Sequence, residues 1–359
     1  MFYCIVRTYS NSIETVLTSV ILYYWPWPST SSNTNTHRVI SLLLMALCVL
    51  IRPTSALYLG PLGLFYTLFV IKSFKQVLKF LFAEVLPIGI LALLLEITVN
   101  YIFYDRFTFV PYNFFYFNIL KDVGSYYGVH PWHWYFTNGF PAILGSFIPF
   151  FILGVFKSRK YQLFYLILFV LGVYSLLAHK EFRFVLPMLP LSFIYAGHAM
   201  QEIELQYSTI NSSLNFGKIS IYFTLLINIP ISLYLSLVHQ IGPLSVTSYI
   251  RDNIDNNETI QFLMPCHSTP FYSHIHRNIT MGFWDCSPSD EPGYIDQADQ
   301  FFQNPTSYLS EYYERNENIL PNYFILFSRH LDLIHPFLIQ QHYTKVHCHI
   351  LLLINAKDN

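Results

Sequence analysis

The chain has 359 residues, of which 53% are hydrophobic, 18% aromatic and 11% charged. A water-facing surface takes roughly 25% charged residues, so these proportions exclude an ordinary cytosolic enzyme, a disordered protein and a nucleic-acid binder. Mean hydropathy is +0.38, as in multi-span membrane proteins. Charge divides the chain. Residues 1–239 hold 14 Lys and Arg against 8 Asp and Glu, a net of +6. Residues 240–359 hold 6 against 13, a net of −7. The expected organisation is a membrane body over 1–239 and a more soluble domain over 240–359.

A helix crosses a bilayer with about 20 apolar residues. Residues 55–72, 80–103, 138–156, 161–178 and 217–238 meet that length. Residues 12–25, 39–51 and 184–199 are shorter or interrupted, but connectivity needs a crossing at each, giving about eight spans. Pro187 and Pro190 break the seventh, which neighbouring helices can tolerate. No internal repeat is visible.

Short basic loops set the orientation. Lys72, Lys75 and Lys79 form one such loop, and Lys157, Arg159 and Lys160 another. Two spans separate them, so both fit the cytosolic side. Parity then places 26–38 and 200–216 in the cytosol. It places the N-terminus, 104–137, 179–183 and everything after 239 on the far side. No cleavable signal peptide is visible: Arg7 and a polar patch follow the start directly. The Pro-, Ser-, Thr- and Asn-rich stretch 25–37 reads as a cytosolic loop.

Ionisable residues at membrane depth ask for a reason. Glu14 is expected to pair with Arg7, Glu84 to pair with nearby Lys79 or to snorkel to the cytosolic end, and Glu96 to form a hydrogen bond to a neighbouring helix. The turn HKEFRF (179–184) stands apart. His179, Lys180, Glu181 and Arg183 crowd a far-side loop of about five residues between two spans. Lys180 and Arg183 suit a lipid phosphate, Arg by a bidentate fork and Lys as a point charge. Glu181 is placed to orient them, and Arg52 supplies a third far-side cation. The aromatic loop 104–137 is a second candidate. His130, Trp132, His133 and Trp134 are suited to sugar or lipid contact, or to lying in the interface.

In the tail, 260–264, 323–327 and 347–354 read as buried strands, with helices over 306–316 and 330–341. Strand–helix–strand–helix–strand predicts a small α/β domain. Three cysteines fall there: Cys266, Cys286 and Cys348. In an oxidising compartment Cys266–Cys286 is one disulfide, and the third thiol leaves the pairing open. His267, His274 and His276 beside Cys266 fit no standard zinc ligand set. Histidines packed in an aromatic turn are the expected reading, with no metal. Sequons stand at Asn211, Asn257 and Asn278. The expected topology leaves Asn257 and Asn278 as acceptors.

HKEFRF in a short turn resembles the signature of the dolichyl-phosphate-mannose-dependent mannosyltransferases of glycosyltransferase family 22. RTYSNSIET (7–15), IRPTSALYLGPLG (51–63), VPYNFFYFN (110–118) and GVHPWHWYFTNGFP (128–141) resemble other parts of that family. Phe182 within the signature, together with FLMPCHSTPFYSHIHR (262–277), resembles the branch that assembles GPI anchors. The resemblance implies a GT-C fold in the endoplasmic reticulum membrane, with a lumenal active site and a lumenal tail. It implies transfer of an α-1,2-linked third mannose from dolichyl-phosphate-mannose to a GPI-anchor precursor, without metal, nucleotide sugar or other cofactor. Two alternatives stay open: a lipid-linked oligosaccharide acceptor, and a non-catalytic short form. The family's catalytic Asp sits in an acidic first lumenal loop. Residues 1–80 hold one carboxylate, Glu14, outside any such motif. An N-terminally truncated or short form, inactive as residues 1–359 alone, is therefore expected. Asp105 and Asp122 are the remaining candidates for the base.

Overall fold

A computed structural model of the chain describes residues 9–27, 35–208, 216–239, 241–289, 293–315, 319–348 and 351–356. The chain divides into two compact units, Met1–Leu233 and Tyr234–Asn359.

The first unit is helical. In chain order its main helices are α1 (Ser10–Tyr24), α2 (Asn35–Ile51), α3 (Pro53–Val70), α4 (Phe74–Tyr104), α5 (Tyr135–Ser158), α6 (Gln162–Leu176), α7 (Leu189–Ser208) and α8 (Phe216–Leu237). Every expected span falls on a helix. By length and composition, four helical runs suit a membrane crossing among the described residues: α3, α4, α5 and the run that begins at Gly217, while α2 and α6 are shorter apolar helices. Pro187 lies in a 3₁₀ segment, Phe182–Met188, that precedes α7. Lacking an amide hydrogen, it suits that tighter entry.

α1, α2, α3, α5, α6 and α7 share one core, whose fully buried side chains include Ile21, Tyr135, Ile167, Leu171, Met188 and Leu191. α5 and α7 meet at backbone distance. A Cβ on Gly154 would lie 1.9 Å from the carbonyl oxygen of Tyr195. By contrast, Leu86–Tyr104 of α4 buries no residue. The loop 104–137 contains helical turns, including Val110–Phe115 and the 3₁₀ segment Val123–Tyr127.

The carboxylates in the expected spans are all partnered. Glu84 pairs with Arg38 of α2 through two short contacts, 2.6 and 2.7 Å, and not with Lys79. Arg38 is 46 positions away, a separation that local reading cannot bridge. Glu96 accepts from Asn100 on its own helix and from the backbone amide of Val110, both at 2.9 Å. It ties α4 to the first residue of the next short helix, Val110–Phe115, as well as to its own helix. Glu14 pairs with Arg52. Arg7 lies outside the described residues.

The second unit is an α/β layer structure. Five strands, β1 (Thr259–Phe262), β2 (Thr280–Phe283), β3 (Tyr323–Phe327), β4 (Tyr343–Cys348) and β5 (Leu351–Ala356), form a sheet in the order β2-β1-β3-β5-β4. β1 pairs in parallel with β2 and β3, while β5 runs antiparallel to β3 and β4. The stretch 347–354, expected as one strand, instead spans the end of β4 and the start of β5. α9 (Gly242–Asn253), α10 (Gln297–Gln303), α11 (Pro305–Ser310) and α12 (Leu331–Gln340) complete the unit. β3 alternates between two cores. Phe324 and Leu326 join Trp284, Phe301 and Phe337. Tyr323 and Ile325 join Val246, Ile250 and Phe262. Burial on both faces explains the uninterrupted apolar run YFILF.

Cys266 and Cys286 are joined in a disulfide, with a Cα–Cα distance of 6.2 Å. It links the segments that leave β1 and β2. His267, His274 and His276 form no cluster. The grouping of metal-capable side chains among the described residues is Cys266, Cys286 and Asp296, whose two sulfurs are already bonded to each other.

Candidate functional site

The HKEFRF turn begins where α6 ends. Leu177 Nα bonds back to Tyr174 O, and the chain then extends to Glu181 before entering the 3₁₀ segment. The turn docks on the second candidate stretch, 128–135. The His130 amide donates to Ala178 O at 3.1 Å. Lys180 Nζ donates to His130 O at 2.9 Å and also to the carbonyls of Leu177 and Ala178. Lys180 is only 3% exposed. Burial lowers its pKa below the usual lysine value. Three backbone carbonyls engage its ammonium, which staples the turn to the loop.

His179 bridges the same two stretches, with Nδ1 2.9 Å from Gly128 O and Nε2 3.1 Å from a Glu181 carboxylate oxygen. That oxygen also takes a 2.6 Å contact from Arg183 Nη2. Burial would raise the Glu181 pKa, but the hydrogen bonds from Arg183 and His179 outweigh it and hold the carboxyl below its ordinary value. Tyr135 fixes the backbone here: its hydroxyl accepts from Glu181 Nα at 3.2 Å and donates to Glu181 O at 3.3 Å. Arg183 is thus aimed from one side by Glu181, with its side chain still 43% exposed.

Trp134 underlies this arrangement. It stacks on His130 (4.7 Å between centroids, 15° between planes) and packs against Phe182 at 4.7 Å. Gly139, one turn further on, makes room: a Cβ there would lie 2.7 Å from the Trp134 ring. Trp132 is 70% exposed and His133 bonds Thr137, so these two stand outside the packed group.

Arg52 approaches from the junction between α2 and α3. Its Nε lies 3.0 Å from Glu14, which is 1% exposed, and its Nη1 donates to Ser10 Oγ at 2.9 Å. Glu14 is also contacted by Asn11 Nδ2 and the Tyr58 hydroxyl, each at 3.4 Å. Arg183 reaches the same helix end, with its guanidinium carbon 5.8 Å from the Tyr9 ring. Both arginines thus meet the N-terminal end of α1, where the helix dipole favours negative charge. Both arginines stand out in the sequence, whereas Glu14 as the anchor of Arg52 and Tyr135 as the clamp on Glu181 do not. Those contacts span 38 and 46 residues, and no local pattern encodes them.

Asp105 and Asp122 stand at exposed turn positions with φ of 50° and 48°. Asp105 caps α4 and Asp122 precedes the Val123–Tyr127 segment. Gly124 of that segment lies against His179: a Cβ there would be 3.3 Å from the His179 Cβ. Among the described residues neither carboxylate accepts a hydrogen bond. Asn257 and Asn278 are both exposed, while Asn211 lies outside the described residues.

The first unit is thus a helical body in which two arginines meet the N-terminal end of α1 beside a packed aromatic turn. The chain matches two crystal structures of ArnT from Cupriavidus metallidurans, one bound to undecaprenyl phosphate and one apo, with TM-scores of 0.57 and 0.54. Each match covers 96% of this chain and 74% of that one at 11% identity, so the likeness is one of fold. The chain belongs to the Alg9-like mannosyltransferase family, whose sequence model matches residues 1–276. Mannosyltransferase APTG1 of Arabidopsis thaliana is 43% identical over 367 residues, covering 96% of this chain and 66% of that protein. GPI alpha-1,2-mannosyltransferase 3 is 38% identical in Bos taurus and 37% in Homo sapiens, with 96% of this chain covering 62% and 60% of those proteins. The chain therefore spans slightly less than two thirds of the length of these curated relatives.

Proposed function

We propose that this chain carries the donor-binding part of an enzyme that transfers the third, α-1,2-linked mannose to a GPI-anchor precursor. The observation that carries the reading is the meeting of Arg52 and Arg183 at the N-terminal end of α1, each oriented by a carboxylate. The relatives' names support the acceptor assignment.

The donor in this reading is dolichyl-phosphate-mannose. The bond between mannose C1 and the phosphate oxygen breaks, and a bond from C1 to the acceptor's 2-hydroxyl oxygen forms. A base takes the hydroxyl proton and dolichyl phosphate leaves. Arg183 and Arg52 would stabilise charge developing on that phosphate, the form of electrostatic help expected to weigh most in such a step. The exposed aromatic Trp132 would face sugar or lipid. The proposed setting is the endoplasmic reticulum membrane, with about eight crossings, the HKEFRF turn lumenal and the tail lumenal.

The test is rescue of surface GPI-anchored protein in cells lacking the third mannosyltransferase. Arg183→Ala, at matched protein level, should abolish rescue. Arg183→Lys should also fail to restore it, because a point charge cannot copy the guanidinium fork. Normal rescue by both would remove the phosphate role from the turn. Restoration of lipid-linked oligosaccharide elongation instead would reassign the acceptor.

A further inference from the structure

A second site lies at the other end of α6. A cavity of about 590 Å³ is bounded by Trp27, Phe65, Leu163, Ile194 and Tyr195, with Ser158, Lys160, Gln162 and His198 among its lining. Gln162 opens α6 and Leu176 closes it just before the HKEFRF turn. At 1.5 Å per residue, this cavity and Arg183 are separated by about 20 Å along the helix axis.

The cavity is built. Tyr195 donates to Lys160 O at 2.6 Å and accepts from the Phe164 amide at 3.0 Å, so its ring is fixed as a wall. The Trp27 indole donates to Leu22 O at 2.9 Å, which fixes a second aromatic wall. The close approach of α5 and α7 at Gly154 and Tyr195 holds the two sides together. Its chemistry is graded. Phe65, Leu163 and Ile194 are apolar, whereas Lys160 and His198 are basic and Ser158 and Gln162 offer hydrogen bonds. Lys157 and Arg159 flank it. Among the described residues, none of Lys157, Arg159 and Lys160 forms an ion pair with a carboxylate. The nearest acid in sequence on α7 is Glu202, one turn beyond His198.

Uncompensated cations at the end of apolar helices, above an aromatic and aliphatic wall, match a phosphate headgroup with acyl chains attached. We infer that this cavity binds one anionic glycerophospholipid in the headgroup layer opposite the transfer site. The site is separate from the donor site and does not depend on the proposed reaction.

The experiment uses the expressed chain in bilayer nanodiscs containing photoreactive phosphatidylserine or photoreactive phosphatidylcholine at equal mole fraction. Cross-linked peptides are read by mass spectrometry. Phosphatidylserine should label residues 158–165 and 194–198 about tenfold more than phosphatidylcholine does, as expected for one or two charge-assisted contacts. Unlabelled phosphatidic acid should compete, and inorganic phosphate at equal concentration should not. The Lys160→Gln/His198→Gln double variant should lose the labelling. It leaves the Lys160 carbonyl that Tyr195 uses in place, and unchanged labelling elsewhere in the helices reports that the fold survives. Arg183→Ala should keep the labelling, which separates this site from the donor site. Equal labelling by both lipids, no response to the double variant, or full competition by inorganic phosphate would each overturn the inference.

Discussion

Arg52 and Arg183 are held in different ways, and substitutions should tell them apart. Glu14 is almost fully buried and takes Arg52 in a close pair. Removing one partner of a buried pair costs roughly 3–5 kcal/mol, because the other charge is stranded. Glu14→Leu should therefore reduce the amount of folded protein. Glu14→Gln keeps a hydrogen-bonding group beside Arg52 and Tyr58. Under the proposed function it should raise the apparent KM for the lipid donor more than it lowers kcat, in a microsomal transfer assay. Glu181 is partly buried and anchors Arg183. Its carboxyl titrates lower in the folded protein than in the unfolded chain, so its stabilising contribution is present at neutral pH. It is lost only as pH falls through the folded value, below the ordinary glutamate value of 4.5. Transfer activity should therefore show no loss assignable to Glu181 between pH 5 and 7, and Glu181→Gln should leave that profile unchanged while lowering the rate. The arginines are legible in the sequence, Arg52 as a lone cation between apolar runs and Arg183 within the charged turn HKEFRF. Their carboxylate partners were only partly so: Glu181 is two residues from Arg183, whereas Glu14 is 38 from Arg52.

At the scale of elements, close packing makes the sharpest claim. Gly154 lets α5 touch the backbone of α7, and no rotamer change can relieve a Cβ placed 1.9 Å from a carbonyl oxygen. Gly154→Leu should force the helices apart and lower the thermal midpoint of the detergent-solubilised protein by several degrees, measured by tryptophan fluorescence. Gly154→Ala should do the same to a smaller extent. In the tail, the Cys266–Cys286 disulfide closes a loop with a sequence separation of 20, a constraint worth about 3 kcal/mol in the chain-entropy account. Reduction should lower the tail's unfolding midpoint, and Cys266→Ser should match it without reductant. Helices longer than a bilayer were legible because about 20 apolar residues form an unmistakable run. β2 was not, because TMGF is short, contains glycine and lacks alternation. β4 and β5 merged in the sequence reading because apolar residues continue across their junction.

On the scale of the whole molecule, the charge asymmetry between the two parts of the sequence coincides with a change of architecture. The basic, apolar part is helical, and the acidic part builds a sheet covered on both faces. Composition made that much legible. It carried no information on which helix ends meet, because such contacts depend on packing across the bundle. The proposed topology makes a direct statement about the tail. Asn257 and Asn278 are exposed, and a lumenal tail presents both to the glycosylation machinery. Endoglycosidase treatment of the protein from microsomes should give a mobility shift that is reduced in Asn257→Gln or Asn278→Gln and lost in the double variant. A shift that depends on Asn211 and not on the tail would invert the orientation.

The capture of Lys180 by three carbonyls has a chemical corollary. An amine enclosed in this way is shielded from acylating reagents, whereas Lys75, Lys157 and Lys160 are exposed. Brief treatment of the folded protein with an acetylating reagent should modify those three and spare Lys180. The modified fraction at Lys180, read by mass spectrometry, then reports how often the turn lifts from the loop, and acetylation there should become extensive only when the helical unit unfolds.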